Sequence, residues 1–266
     1  MSNSPALTIM IAAVRKAARG LQRDYGELAG LQVSVKGPGD YVTAADKKAD
    51  KLLREELAKA RPGYGFLTEE SGATAGTDAE HRFIIDPIDG TTNFMHAVPY
   101  FAITVALERK GEIIAGVTYN PITDELFHAE KGQGAFLNNK RLRAAARRDI
   151  HEALVAYEIP HRGGKNHAQA RSELAVLQGR TIGLRCFGSA ALELAYVAAG
   201  RLDVAISRDL SIWDMAAGVL IVREAGGFVS DPDGAASPLQ TGSFVATNAD
   251  LLPQVKALLQ DARKTT

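Results

Sequence analysis

Apolar residues recur at helical spacing near the amino end of the chain. Leu7, Val14 and Leu21 are seven residues apart, which places them on one face of a helix. Ser4, followed by proline, is typical of a helix start. A second helix with an apolar stripe is predicted over residues 43–59.

Short apolar runs follow these helices and predict strands. Gly, Pro or charged turns separate the runs, as expected between strands. The runs occupy residues 64–67, 83–85, 101–108, 113–119, 125–129 and 134–137. A hairpin turn at Lys110-Gly111 indicates that this sheet is largely antiparallel.

Strand and helix patterns alternate in the second half of the chain, which predicts an α/β arrangement. Strands are predicted at residues 154–157, 182–185 and 204–206, and helices at 167–177, 189–199 and 213–225. We therefore divide the chain into residues 1–145 and 146–266. No Ser-, Gly- or Pro-rich linker separates them, so we expect one compact unit.

Composition narrows the class of protein. The 266 residues include 46% hydrophobic residues, and 31 Lys and Arg balance 31 Asp and Glu. No net field recruits nucleic acid or an anionic membrane. No apolar stretch reaches the roughly 20 residues needed to span a bilayer, so we expect a soluble cytoplasmic protein. The single cysteine, Cys186, is predicted to be a small buried residue.

A basic cluster is the one feature that suggests nucleic-acid binding. No aromatic residue interleaves the cluster to stack bases, which favours a solvated hairpin edge. We therefore expect no nucleic-acid partner. The cluster consists of Lys140, Arg141, Arg143, Arg147 and Arg148.

The densest chemical signal is residues 86–94. Asp86 and Asp89 follow a buried run, and Gly90 precedes two threonines that open a helix. Carboxylates at a strand end suit Mg²⁺, and backbone N–H groups at a helix start suit phosphate oxygens. An ordinary strand-to-helix turn, with aspartate as cap, is the alternative explanation.

Three other segments carry acids at the start or end of predicted elements. Glu69 and Glu70 close a strand, Asp214 lies in the first turn of a helix, and Asp46 lies in the first turn of another. Each also has a structural explanation, namely an exposed turn, a helix-dipole partner or a capping box.

Taken together and in order, these segments resemble the inositol monophosphatase family. The resemblance covers nearly the whole chain and is carried by residues 43–46, 69–71, 86–94, 213–218 and 224–227. It implies a mixed α/β fold, the layered α-β-α-β-α sandwich of the inositol monophosphatase and fructose-1,6-bisphosphatase type. It also implies an Mg²⁺-dependent, lithium-sensitive phosphomonoesterase that forms a homodimer.

The resemblance assigns metal ligands. Glu69, Asp86 and the carbonyl of Ile88 are expected to hold one Mg²⁺. Asp86, Asp89 and Asp214 are expected to hold a second, and a third ion is possible in the family. Four carboxylates cannot share a pocket in ionised form without cations, because like charges raise each other's pKa.

The resemblance also assigns catalytic roles. A metal-activated water would be oriented by Glu69 and the Thr91 hydroxyl, and Asp46 would accept the Thr91 proton. The N–H groups of Gly90 and Thr91 would bind phosphate oxygens. Lys36 would lie near the metal cluster, and a solvated loop lysine is the alternative explanation for it. Residues expected at the substrate site are Gly188, Ser189, Ala190, Ser207, Arg208 and Asp209.

The chain departs from the family pattern at residues 207–211. Ser207 stands where many relatives carry an acid that accepts hydrogen bonds from substrate hydroxyls. Asp209 is a candidate replacement, and Arg208 either attracts a second phosphate or faces solvent. Thr68 replaces a common glycine and would be strained if φ were positive there.

The departure leaves several substrates open. Inositol 1-phosphate, or a similar polyol or sugar phosphate, is the first choice. The alternatives are 3'-phosphoadenosine 5'-phosphate, fructose 1,6-bisphosphate and histidinol phosphate. A non-catalytic regulatory or RNA-associated protein is a further alternative, and it predicts missing metal ligands, whereas none is missing.

Overall fold

The computed structural model describes residues 3–27, 33–37, 40–159, 167–234 and 237–264, with the backbone alone described for 33–37 and 40–43. The helices are α1 (Pro5–Gly26), α2 (Ala44–Ala60), α3 (Thr91–Met95), α4 (His167–Gln178), α5 (Ala190–Ala198), α6 (Ile212–Glu224), α7 (Pro238–Thr241) and α8 (Leu252–Lys264). Strands β1 (Val33–Gly37) and β2 (Asp40–Thr43) form a hairpin.

The remaining strands form two sheets. The first contains β3 (Gly65–Thr68), β4 (Gly72–Thr74), β5 (His81–Asp89), β6 (Ala102–Arg109), β7 (Glu112–Asn120), β8 (Glu125–Glu130), β9 (Gly134–Leu137) and β10 (Lys140–Arg141). The second contains β11 (Leu154–Tyr157), β12 (Gly183–Arg185), β13 (Val204–Ser207), β14 (Phe228–Ser230) and β15 (Phe244–Thr247).

The eight-stranded sheet has the order β10-β9-β8-β7-β6-β5-β3-β4. Its neighbours are antiparallel except β3 and β5, which are parallel. The five-stranded sheet has the order β12-β11-β13-β15-β14, with β11 parallel to both β12 and β13. The largely antiparallel first sheet and the mixed second sheet agree with the sequence pattern.

The helices lie in three layers around these sheets. The apolar faces of α1 and α2 pack on one face of the large sheet. Helices α5 and α6 lie between the two sheets, and α4 and α8 cover the outer face of the small sheet. This order confirms the predicted α-β-α-β-α sandwich.

Most predicted elements have local causes that are visible in the structure. The Ser4 hydroxyl accepts a hydrogen bond from the Leu7 N–H at 3.1 Å and caps α1, as the sequence predicts. The prediction for Cys186 is wrong, because it lies in the exposed segment between β12 and α5 rather than in a core.

Helix α6 approaches the large sheet closely because glycine faces it. A Cβ atom added at Gly116 on β7 would lie 2.9 Å from the Ala217 Cα and 3.0 Å from its carbonyl oxygen. Such distances require the helix to move. Gly116 therefore fixes how near α6, which carries Asp214 in its first turn, lies to the sheet.

We expect Gly116→Ala to lower the free energy of unfolding by about 1–3 kcal/mol, because the added methyl group overlaps helix backbone. Gly20→Ala is the matched control, since Gly20 lies within α1 and a Cβ atom there meets nothing within 4 Å. The control should stabilise by up to about 1 kcal/mol. Urea unfolding of both variants measures the contrast, and equal effects would contradict this account of the packing.

Candidate active site

Three carboxylates, two from β5 and one from α6, converge at the carboxyl end of β5. One oxygen each from Asp86, Asp89 and Asp214 lies within 4.8 Å of the other two. The pairing of β5 with β6 shifts register between Asp86 and Asp89, which lets both side chains serve one site.

Backbone N–H groups hold two of these carboxylates. Oδ1 of Asp86 accepts a hydrogen bond from the Ile88 N–H at 2.9 Å. Asp214 accepts one from the Ser211 N–H at 2.8 Å, as half of a capping box at the start of α6. Asp214 therefore caps α6 in addition to lying in the acidic cluster, whereas the sequence pattern suggested a capping box only for Asp46.

The start of α5 holds the third carboxylate. Oδ2 of Asp89 accepts hydrogen bonds from the Ser189 hydroxyl and from the Ala191 N–H, the latter at 2.8 Å. Ser189 also caps α5. The Ser189 hydroxyl therefore contacts an acid of the cluster, whereas the family resemblance implied a place at the substrate site.

The acids raise each other's pKa. Burial and the nearby charges of Glu69, Asp89 and Asp214 raise the pKa of Asp86 well above its usual range. Burial raises the pKa of Asp89 to about 7, and burial with the Asp89 charge raises that of Asp214. A divalent cation would relieve this repulsion, and the hard oxygen donors fit Mg²⁺.

The other predicted catalytic residues lie around this cluster. Glu69 directly follows β3, and its N–H donates to the carbonyl of Ile85 at 3.2 Å. Asp46 is buried in the first turn of α2, and its charge also contributes to the raised pKa of Asp86. The side chain of Lys36 lies outside the described part of the structure.

The Thr91 hydroxyl has a different partner from the expected one. It donates to the carbonyl oxygen of Ile88 at 3.0 Å rather than to Asp46. Ile88 and Thr91 lie on either side of one turn between β5 and α3. Gly90 makes this turn possible because it takes the left-handed conformation, with φ of 95°. A larger residue there would also meet the Gly188 carbonyl at 3.0 Å.

A cavity of about 590 Å³ opens over the carboxylates. The large sheet and α3 form one wall, and the second half of the chain forms the other. The first wall contains Glu69, Asp86, Ile88, Asp89, Gly90, Thr91, Thr92 and Asn93. The second contains Glu158, Ile159, Gly188, Ala190, Asp209, Leu210, Ser211, Trp213 and Asp214.

Arg208 is turned away from this cavity, which corrects the expectation that it meets a second phosphate or faces solvent. Arg208 is 4% exposed, and its guanidinium donates to Glu173 at 2.7 and 3.1 Å and to Asp233 at 3.0 and 3.1 Å. A buried guanidinium needs such anionic partners. Ser207 is fully buried, whereas Asp209 lines the cavity.

The departure at Thr68 also has a structural explanation. The Thr68 hydroxyl accepts a hydrogen bond from the Ser71 N–H at 3.0 Å and orders the turn that contains Glu69 and Glu70. The backbone of Thr68 does not have a positive φ. The backbone strain considered for it is therefore absent.

Two residues of the site were not identified from the sequence. Asn93 donates to the carbonyls of Tyr100 at 2.8 Å and Phe187 at 2.6 Å, which ties α3 to the segment before α5. Glu158 lies at the cavity edge of β11. The only local signal for Glu158 is a charge at the end of an apolar run.

Part of the basic cluster is engaged in ion pairs. Arg147 pairs with Asp203 at 3.0 Å, and Arg148 with Asp250 at 3.5 Å. Lys140 and Arg141 form the exposed edge strand β10. These contacts agree with a solvated edge. No helix in the described ranges has the length and apolar character needed to cross a membrane.

Comparisons with known proteins identify the class. The family model for the inositol monophosphatase family matches residues 2–264. The Inositol-1-monophosphatase of Rhizobium meliloti is 52% identical over 260 residues, which cover 98% of each chain. The Nus factor SuhB of Escherichia coli K12 is 40% identical over 97% of this chain and 96% of its own.

A solved structure agrees with these relatives. The extragenic suppressor protein suhB from Bartonella henselae superposes with a TM-score of 0.94 at 50% identity, covering 96% of this chain and 98% of its own. The chain belongs to the inositol monophosphatase family, whose enzymes are phosphoric monoester hydrolases.

We expect Asp86→Asn to stabilise the metal-free protein, because it removes a buried like charge and keeps an acceptor for the Ile88 N–H. The wild type should gain about 2.7 kcal/mol when Mg²⁺ exceeds its Kd 100-fold, and the variant should gain less. Thermal unfolding measures both, with NaCl at matched ionic strength as the control. Equal gains in the two proteins would contradict a metal site here.

Arg208→Met should lower the free energy of unfolding by about 3–5 kcal/mol, because it leaves the fully buried Glu173 without its guanidinium. Arg148→Met is the control, since its ion pair with Asp250 is exposed and worth about 1 kcal/mol or less. Chemical unfolding compares them. If Arg208→Met lost no more stability than Arg148→Met, the ion pairs of Arg208 would not be what holds residues 207–211 in place.

Proposed function

We propose that the protein is an Mg²⁺-dependent phosphomonoesterase that hydrolyses inositol 1-phosphate or a similar polyol or sugar phosphate. The convergence of Asp86, Asp89 and Asp214 within 4.8 Å at the floor of the cavity carries the proposal. The relative from Rhizobium meliloti named Inositol-1-monophosphatase supports the substrate class.

The carboxylates present fit a divalent cation, and we propose two or three Mg²⁺ ions. Asp86, Asp89 and Asp214 would be ligands, and Glu69 with the carbonyl of Ile88 would complete the set on the same wall. Bound Mg²⁺ would supply positive charge to the reacting phosphoryl group and lower the pKa of a water. We also propose that Li⁺ inhibits the protein, because the family resemblance implies lithium sensitivity.

The chain's own groups would position the reactants. The Glu69 carboxylate and the Thr91 hydroxyl would orient the attacking water. The N–H groups of Gly90 and Thr91 would bind the phosphate oxygens. Asp46, which is buried near the cluster, would accept the Thr91 proton. The Thr91 hydroxyl would first have to rotate away from the Ile88 carbonyl. Fixed donors and charges of this kind supply most of such catalysis.

The charge of the cavity favours a substrate with one phosphate. Among the described residues that line it, none is Lys or Arg. Since Arg208 is held by Glu173 and Asp233, a second phosphate would meet acids rather than a cation among the lining residues that the structure describes. This observation supports a polyol or sugar monophosphate over a bisphosphate.

The remaining features of the proposal follow the family. We propose a cytoplasmic homodimer whose two halves, residues 1–145 and 146–266, both contribute to one site. The relatives named SuhB are a reason to consider a regulatory role. The complete carboxylate set favours an enzyme over a non-catalytic protein.

Phosphate release from a panel of phosphomonoesters, with and without Mg²⁺ and Li⁺, tests the proposal. We expect Mg²⁺-dependent release, with Asp89→Asn lowering kcat/KM by at least about 100-fold. Asp250→Asn, at an exposed aspartate that does not line the cavity, should match the wild type. If the wild type and Asp89→Asn release phosphate equally, the proposed function is wrong.

A further inference from the structure

Glu158 lies beside the position at which the family pattern has lost an acid. Strands β11 and β13 are parallel, with Tyr157 opposite Ile206. The Glu158 N–H donates to the Ile206 carbonyl at 3.0 Å, which continues the pairing past the end of β11. Glu158 is therefore level with Ser207 on the neighbouring strand.

The two residues differ in what they offer to a ligand. Ser207 is fully buried, whereas Glu158 is half-buried and lines the cavity. Oε1 of Glu158 accepts a hydrogen bond from the Gly188 N–H at 2.7 Å. A carboxylate accepts about four hydrogen bonds, so the group retains acceptor capacity after this one.

A second acid lies behind Glu158. Glu193 on α5 is fully buried, and its Oε1 accepts a hydrogen bond from the Phe187 N–H at 3.3 Å. Burial and the charge of Glu158 raise the pKa of Glu193 well above its usual range. Glu193 and Glu158 thus hold adjacent backbone N–H groups, those of Phe187 and Gly188, which fixes this segment against the cavity wall.

Among the described residues of the second wall, few side chains that can accept hydrogen bonds are held by a helix or a strand pairing. Glu158 is fixed by the β-ladder and by Gly188, and its neighbours Ile159 and Trp213 supply apolar surface. Asp209 is in a loop, with φ of 59°. A fixed carboxylate among apolar groups suits a ring that carries hydroxyls and no further anion.

We propose that Glu158 determines specificity by accepting hydrogen bonds from the hydroxyl groups of a polyol ring whose phosphate lies at the carboxylate cluster. The inference rests on the proposed function, since it concerns the leaving group of that reaction. Glu193 is a positioning residue that keeps the Glu158 carboxylate at the cavity wall.

Binding of two phosphonates, which the enzyme cannot hydrolyse, tests the role of Glu158. One probe is the phosphonate analogue of inositol 1-phosphate, and the other is a cyclohexyl phosphonate without hydroxyls. We expect Glu158→Gln to weaken binding of the first to the Mg²⁺-loaded protein by about tenfold or more, because hydrogen bonds to charged groups are strong. Binding of the second should change less than about twofold on the same basis.

Glu224→Gln is the matched control, since Glu224 also accepts backbone N–H bonds, from Gly132 and Gly134, outside the cavity. Equal losses for both probes in Glu158→Gln, or no loss for either, would overturn the inference. So would a wild type that binds both probes equally. Wild-type protein that shows the binding preference but releases no phosphate would contradict the proposed function alone.

Two variants separate positioning from mere structure at Glu193. Glu193→Gln keeps an acceptor of the same shape for the Phe187 N–H and should retain the preference for the inositol phosphonate. Glu193→Leu removes the polar support and should reduce that preference, with binding of the cyclohexyl probe unchanged. Loss of preference in Glu193→Gln, or its retention in Glu193→Leu, would refute the positioning role.

Discussion

The repulsion among buried carboxylates is the constraint on which the rest of this structure depends. Asp86, Asp89 and Asp214 have oxygens within 4.8 Å of one another, and Glu69 and Asp46 add charge nearby. Burial makes each charge costly, and its neighbours increase the cost. A bound cation would offset this cost, which is why the proposed function places Mg²⁺ here.

The packing of the layers makes this cluster possible. A register shift in β5 supplies two of the acids, and α6 brings the third from the layer between the sheets. The glycine at position 116 lets α6 lie close to β7, and the start of α5 holds Asp89 through Ser189 and Ala191. A metal ion bound by these carboxylates would therefore also stabilise the fold, because the same contacts would serve both.

Local patterns predicted most of the helices and strands. The cap of α1, the longer strands of the first sheet and the strand-to-helix turn at residues 86–94 are readable because spacing and turn residues act over short distances. Strands β14 and β15 were not predicted. Contacts between distant segments were not readable. Neither the pairing of Arg208 with Glu173 nor the bond of Ser189 to Asp89 has a local signal, since layer packing creates both.

The residues around Ser207 show the same difference between local sequence signals and contacts that depend on the fold. The substitution at Ser207 was visible in the sequence, yet its consequence depended on which residue lies beside it on β11. The parallel pairing of β11 and β13 places Glu158 there, and only the sheet order reveals it. The reaction class thus depends on local motifs, whereas the substrate wall depends on topology.

Anomalous diffraction from crystals soaked in Mn²⁺, which takes the same oxygen ligands as Mg²⁺, is the most direct measurement of the central claim. We predict an anomalous peak at coordination distance from the carboxylates of Asp86, Asp89 and Asp214. A fully ordered cluster without a peak, or a peak only elsewhere on the protein, would contradict the claim that these acids are held together to bind a cation.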